Sequence, residues 1–310
     1  MTQQINEALA TALNLDASVT TVSPHGGSGF ASTLKVQSGN QSFFVKTGSG
    51  YRSKAMFEVP VLCPRAFAHG ELGDEGYFLA TEFIELSRSS SGHRGGISEE
   101  DSLAAKLAKL HSEPAPSAGK YGFPVSTCCG STIQDNTYED NWPDFFVKRR
   151  LNAIFQACNL SHGPQSDLVA SINRTATIAR YLLSRLSPSA SKPVVIHGDL
   201  WSGNQSRGSI PPRITHATPL IFDPSGCYAP AEYDHGIMIM FGGFDRIFWK
   251  DYESIVPRGE PIDEYEDRVK LYTLYHTLNH YALFGGGYKE SAIGIMRELE
   301  RDYGDKADST

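Results

Sequence analysis

The sequence predicts an α+β chain in two lobes, a small antiparallel β-sheet lobe followed by a larger, mainly α-helical one. Short apolar runs separated by glycine turns fill the first third, and apolar residues recur with helical spacing over the last two thirds. A third observation is an acidic constellation in the second part. It comprises His197-Gly198-Asp199-Leu200-Trp201-Ser202-Gly203-Asn204 and, after a short apolar run, Leu220-Ile221-Phe222-Asp223-Pro224. The expected division is 1–86 for the first lobe, 87–97 for a flexible connection and 98–310 for the second lobe.

Ser18–Val22 and Ser32–Val36 read as strands flanking a loop, Pro24-His25-Gly26-Gly27-Ser28-Gly29-Phe30, and Ser38-Gly39-Asn40 turns the chain into a third strand, Ser42–Lys46. Glycines between two strands let backbone N–H groups approach phosphate oxygens without interference from a Cβ, so Gly26, Gly27, Ser28 and Gly29 are expected at a nucleotide. Lys46 on the third strand is expected to reach its phosphates. A helix should follow, with a carboxylate to hold that lysine, and Glu58 is the one candidate in Ser53–Glu58. Pro60 and Pro64 stop such a helix within about two turns, because proline lacks the N–H and clashes with the preceding turn. The small lobe is therefore expected to be the less stable half. Tyr77–Ile84 reads as a last strand leading into a hinge, where backbone groups of Glu82, Phe83 and Ile84 would meet adenine. Ser87–Gly96 is polar and aperiodic, and is expected to be a mobile connection. Ser98-Glu99-Glu100-Asp101 then caps a helix carrying Leu103, Leu107 and Leu110, and helices are expected over 140–159, 165–187, 230–241, 262–284 and 288–303.

A His-Gly-Asp triplet alone is an ordinary turn. Joined to Asn204 five residues beyond Asp199, to Asp223, and to a glycine loop and strand lysine earlier in the chain, it matches the machinery of phosphoryl transfer. Asp199 then orients the acceptor hydroxyl as catalytic base, and Asn204 and Asp223 are the Mg²⁺ ligands. ATP and Mg²⁺ are the expected cofactors.

Composition sets the class. The chain has 310 residues, 40% apolar and 20% charged, enough for two globular units. No apolar run approaches the roughly 18 residues that a membrane span needs. The five cysteines, an odd number without a metal-type Cys-x-x-Cys pair, suggest reduced thiols in a cytoplasmic protein. A net charge of −7 argues against nucleic acid as a partner.

More specific segments lie outside the catalytic residues: Tyr121-Gly122-Phe123, Cys129-Gly130-Ser131-Thr132, Trp142, Arg149-Arg150-Leu151, Trp201, Glu232-Tyr233, and Leu278-Asn279-His280-Tyr281 with Phe284-Gly285. With these, the chain resembles the fructosamine-3-kinase (ketosamine-3-kinase) family, relatives of the aminoglycoside phosphotransferases within the protein-kinase-like fold. The resemblance runs over nearly the whole chain. It implies ATP-dependent phosphorylation of the C3 hydroxyl of ketosamines, free or on proteins, with Trp201 and His280 at the sugar, in a monomer or weak dimer. Three departures stand out: about a dozen residues are absent after Met56-Phe57-Glu58, Leu283 replaces a frequent histidine, and the glycine loop has no cysteine. The shortened helix raises the alternative of a catalytically impaired nucleotide-binding pseudokinase. A related kinase for an aminoglycoside or choline is the other.

Overall fold

The computed structural model describes residues 5, 7–28, 31–48, 63–72, 76–87 and 101–309. Glu58 and the short helix expected with it, Gly29, most of the polar connection and the expected cap residues 98–100 lie outside the described residues. The chain forms two compact units, one of Met1–Ser102 with Asn204–Pro224, the other of Leu103–Gly203 with Ser225–Thr310.

The first unit is built on a five-stranded antiparallel sheet in the order β1-β2-β3-β5-β4, from β1 (Thr20–Ser28), β2 (Ala31–Ser38), β3 (Gln41–Gly48), β4 (Ala66–Glu71) and β5 (Tyr77–Glu82). β1 continues through the glycines instead of ending before Pro24, with a bulge between Pro24 and Gly27. It is an edge strand, where proline's missing N–H costs no ladder bond. Period-two alternation sends Phe43 and Val45 into a core with Val22, Val36, Phe78 and Ala80. A short helix α1 (Glu7–Ala12), unsignalled by capping or long periodicity, adds Leu9 and Ala10 to that core.

The hairpin of β10 (Gln205–Ile210) and β11 (Ile214–Ile221) groups with this unit, whereas the expected division places it with the helices. The reason is pairing: β10 adds antiparallel to β6 (Glu85–Leu86), Gly208 opposite Leu86. A Cβ on Gly208 would stand 2.8 Å from the Glu85 carbonyl oxygen, so only glycine admits this approach.

The second unit is mainly helical. After α2 (Leu103–Ser112) come the small hairpin β7 (Thr127–Cys129) and β8 (Thr132–Gln134), then α3 (Trp142–Phe145), α4 (Asn152–His162) and α5 (Ser166–Ser184). β9 (Val194–Val195) pairs with β12 (Tyr228–Ala229), and α6 (His235–Phe241), α7 (Arg246–Glu253), α8 (Tyr265–Phe284) and α9 (Tyr288–Asp308) complete it. The expected helix over 140–159 is interrupted by a π-helical turn, Phe146–Leu151, which carries Arg150 into the interior, where it donates to the Asn136 Oδ1 at 2.6 Å. α7 was not expected; Asp245 caps it by accepting from the Ile247 and Phe248 N–H groups. The core runs from Trp142, Phe145 and Phe146 to Tyr233, Tyr272 and Leu278. At its edge Arg268, wholly buried, pairs with Glu232 at 2.7 Å and donates to the Gly259 and Pro261 carbonyls. Among the described residues no helix is long and apolar enough to cross a membrane.

Candidate active site

The nucleotide-type residues gather within the first unit. Strand alternation turns Phe44 and Lys46 away from the core face occupied by Phe43 and Val45. Lys46 Nζ meets Asp223 Oδ2 at 2.9 Å, both side chains partly exposed. Asp223 has φ +55°, a left-handed conformation that costs most residues and that Asp and Asn adopt more readily. Its hairpin explains how Asn204 comes close: the Phe222 N–H donates to the Asn204 carbonyl at 3.0 Å, beside the Gln205–Ile221 pair. Thus Lys46, Asn204 and Asp223 share one end of the β10–β11 hairpin.

Lys46 and Asp223 border a cavity of about 250 Å³, lined also by Phe44, Leu79, Phe83 and Ile84. Apolar walls with a cation and a carboxylate at one end suit a flat base attached to metal-bound phosphates. The residues fit such a group on charge as well, since the Lys46–Asp223 contact holds a cation for phosphate oxygens and an anion for a metal. His25 sits edge-on to Phe83, and the Lys35 ammonium lies 4.2 Å above the Phe83 ring. Glu82 lines the same cavity, and its polar groups are engaged. Its N–H donates to the Arg65 carbonyl at 2.9 Å, its carbonyl accepts from the Thr81 hydroxyl, and its carboxylate is gripped by Arg213. Its N–H is taken up by the Arg65 carbonyl, and Phe83 and Ile84 follow it along the cavity wall. Gly26, Gly27 and Ser28 lie in the last turns of β1, and Gly29 and Glu58 are outside the described residues.

The acceptor-type residues gather within the second unit. His197-Gly198-Asp199 is held from beneath by Asp234, a fully buried carboxylate that accepts the His197 N–H at 2.8 Å and the Gly198 N–H at 2.6 Å. His111 Nε2 lies 3.2 Å from the same carboxylate. Burial alone would push Asp234 up, but these hydrogen bonds and the neighbouring histidines hold it below the usual carboxylate range. Gly198 has φ +77°, and a Cβ there would stand 2.4 Å from the Ser225 carbonyl oxygen. The Asp199 N–H donates to His197 Nδ1 at 3.2 Å and its carbonyl accepts the Trp201 N–H, which fixes the turn presenting the Asp199 carboxylate. Asp234 was missed from sequence; an acid heading the apolar run Gly236-Ile237-Met238 was the available signal.

Trp201 folds over Gly203, where a Cβ would come 2.2 Å from the indole. Its ring centroid lies 5.9 Å from that of Phe241, and Phe241 lies 5.0 Å from His280. These half-exposed rings make an aromatic platform of the kind that takes the apolar face of a sugar. His280 Nδ1 donates to the His276 carbonyl at 2.8 Å, and burial lowers its pKa. The ring is then neutral with Nε2 as an acceptor. Leu283 lies on the same helix.

His235, next to Asp234, is buried with Nδ1 on the Tyr265 hydroxyl at 2.9 Å, and burial pushes its pKa down to about 3. Below the ordinary value of 6.5 the unfolded chain binds a proton that the folded chain refuses. Stability contributed by neutral His235 is complete above that value and is lost as pH falls towards the folded one. Of the loss in unfolding free energy between about pH 7 and about pH 5.5, measured with urea, His235→Gln should remove about 1 kcal/mol. Identical pH dependence in parent and variant would sink this assignment.

The sequence profile of the fructosamine kinase family matches residues 1–302. A chloroplastic protein-ribulosamine 3-kinase of Oryza sativa subsp. japonica is 33% identical over 294 residues, covering 91% of this chain and 80% of that one. The ketosamine-3-kinase of Mus musculus is 30% identical over 299 residues, covering 83% and 88%. The crystal structure of a candidate fructosamine-3-kinase from Haemophilus somnus 129PT superposes with a TM-score of 0.73 at 21% identity over 96% of both chains. It shares the two-lobed α+β fold. The family profile and the relatives agree over most of the chain: it belongs to the fructosamine kinase family.

Proposed function

We propose that this chain transfers the γ-phosphoryl group of ATP, with Mg²⁺, to the C3 hydroxyl of ketosamines. The observation that carries the reading is the Lys46–Asp223 pair at one end of an apolar cavity, with Asn204 beside it. In this reading Lys46 turns to the nucleotide phosphates, and Asn204 and Asp223 hold the metal. A Mg²⁺ ion held by these two residues would offset the charge of the nucleotide phosphates. Asp199 accepts the proton of the attacking hydroxyl, aligned by the turn that Asp234 anchors. Trp201 and Phe241 orient the sugar face, and His280 Nε2 accepts from one of its hydroxyls. The ketone of a fructosamine is at C2, so a phosphate at C3 becomes a leaving group. Loss of a C1 proton forms an enaminol, phosphate departs from C3, and hydrolysis frees the amine. The proposed outcome is deglycation.

ATP consumption measured against a fructosamine, a ribulosamine and an aminoglycoside tests this. Turnover with either ketosamine, and a phosphate monoester at C3 by phosphorus NMR, is the expected result. Lys46→Met should cut that turnover by about 10²-fold or more. Background rates with both ketosamines alongside turnover of the aminoglycoside would replace the acceptor assignment. Binding of Mg·ATP with no turnover of any acceptor would favour the pseudokinase reading.

A further inference from the structure

We propose that Cys129, Asp199 and His276 form a site for a borderline-soft divalent cation of the zinc type, and that its occupation shuts off phosphoryl transfer. One ligand atom from each, a thiol sulfur, a carboxylate oxygen and an imidazole nitrogen, lies within 4.8 Å of the others. A tetrahedral zinc with bonds of about 2.0–2.3 Å spaces its ligand atoms about 3.5 Å apart, so a contraction of about 1 Å closes the set. A mixed nitrogen, sulfur and oxygen set suits zinc, and is a poor one for Mg²⁺, which prefers oxygen ligands.

The second observation is His276 itself. Its side chain is wholly buried on α8, and neither ring nitrogen has a hydrogen-bond partner among the described residues. A buried polar group left unmet costs about 1–3 kcal/mol, and an ion at this cluster would give one nitrogen a partner. The cluster also has support around it. Asn279 Nδ2 lies 3.2 Å from Cys129 Sγ and 3.3 Å from the Cys129 carbonyl, a donor placed to steady a thiolate. Three separate elements supply the ligands, the β7 strand, the Asp199 turn and the α8 helix. Cys129 and His276 are buried and Asp199 is partly exposed, so the ion enters along the Asp199 side and keeps an open position there for water. Binding releases the Cys129 thiol proton to solvent.

Inhibition follows because a carboxylate holding zinc cannot also accept the proton of a hydroxyl. That half of the proposal rests on the role proposed above for Asp199, whereas the ion site stands on the three ligands alone. His276 and His280 are one turn apart on α8, so the ion would lie against the acceptor end of the site.

The test uses the full chain and two ions. Co²⁺ should bind at one equivalent with a near-ultraviolet thiolate band that Cys129→Ser removes. Zn²⁺ should inhibit ketosamine-dependent turnover at saturating Mg²⁺ and ATP, competitively with the ketosamine. Cys129→Ser should raise the half-inhibitory Zn²⁺ concentration about tenfold or more. If Cys129→Ser does not fold, His276→Asn serves as the second variant, judged by the same Co²⁺ affinity. No thiolate band in the parent, or a band unchanged in Cys129→Ser and so owed to another cysteine, overturns the site. A band that obeys the variants together with full turnover at saturating Zn²⁺ overturns the inhibition and, with it, Asp199 as the base.

Discussion

Replacing Asp199 by Asn is expected to lower ketosamine-dependent ATP turnover by about 10²- to 10⁴-fold, the range over which a positioned general base contributes. Asn preserves the shape of the side chain, and the turn that presents it is held by backbone groups: the Asp199 N–H on His197 Nδ1 and the Trp201 N–H on the Asp199 carbonyl. The loss should therefore appear in kcat, with the fold intact. Nucleotide affinity should stay close to that of the parent, because Lys46, Asp223 and the apolar cavity beside them belong to the other unit. Calorimetry with Mg·ATP and steady-state turnover check the two halves separately. Turnover within about threefold of the parent would remove Asp199 from the role of base. A parallel loss of nucleotide affinity would mean that the variant had disturbed more than proton transfer.

What could be read from the chain, and what could not, follows from how local each signal is. The alternation Phe43, Val45 against Phe44, Lys46 is a property of four consecutive residues, so the strand and the direction of its lysine were legible. The long helices α5 and α9 carry enough turns for their apolar faces to stand out, whereas α8 is buried on nearly every side. The β10–β11 hairpin was not legible because its first strand, Gln205-Ser-Arg-Gly-Ser-Ile, has no apolar alternation. It is a strand through its pairing with β11 and with Glu85–Leu86, the latter a contact across more than a hundred residues of sequence that only the folded chain supplies. Glu82 shows the same limit in a side chain. Its position after an apolar run suggested a hinge, and nothing in that run signalled that Arg65 and Arg213 would hold its carboxylate.

The candidate site divides along the same line. Asp199, Asn204 and Asp223 form a spaced pattern with a chemical meaning, and a reader of the sequence finds them. The residues that hold or surround Asp199 form no pattern: His111, Cys129, Asp234 and His276 come from four distant segments and meet only by packing. Their chemistry is nonetheless decisive, because a buried polar side chain must be satisfied by whatever the fold brings to it.

Asp234→Ala is expected to have the largest effect on stability, about 3–5 kcal/mol, the usual result of removing one partner from a buried charged network. The carboxylate accepts from two successive backbone N–H groups, those of His197 and Gly198, and lies against His111, all in the interior. Alanine leaves those donors buried without that acceptor, and each unmet donor costs about 1–3 kcal/mol. Gly198 cannot relax inward, since its left-handed backbone already lies against the Ser225 carbonyl. The turn carrying Asp199 should loosen, and turnover should fall with the acceptor KM rising. The pH behaviour separates this role from that of neighbouring His235. The Asp234 pKa is lowered below its ordinary 3.8, so its contribution is present above that value and is lost only as pH falls through the still lower folded value. Acidification between about pH 7 and about pH 5.5 therefore leaves Asp234 ionised while the stability tied to neutral His235 declines. Asp234→Ala should accordingly lower the unfolding free energy by the same amount at both ends of that window, measured by urea titration, whereas His235→Gln should change the slope between them. An Asp234→Ala protein within about 1 kcal/mol of the parent would show that water or another group takes over both N–H bonds. It would also show that the Asp199 turn does not depend on this carboxylate.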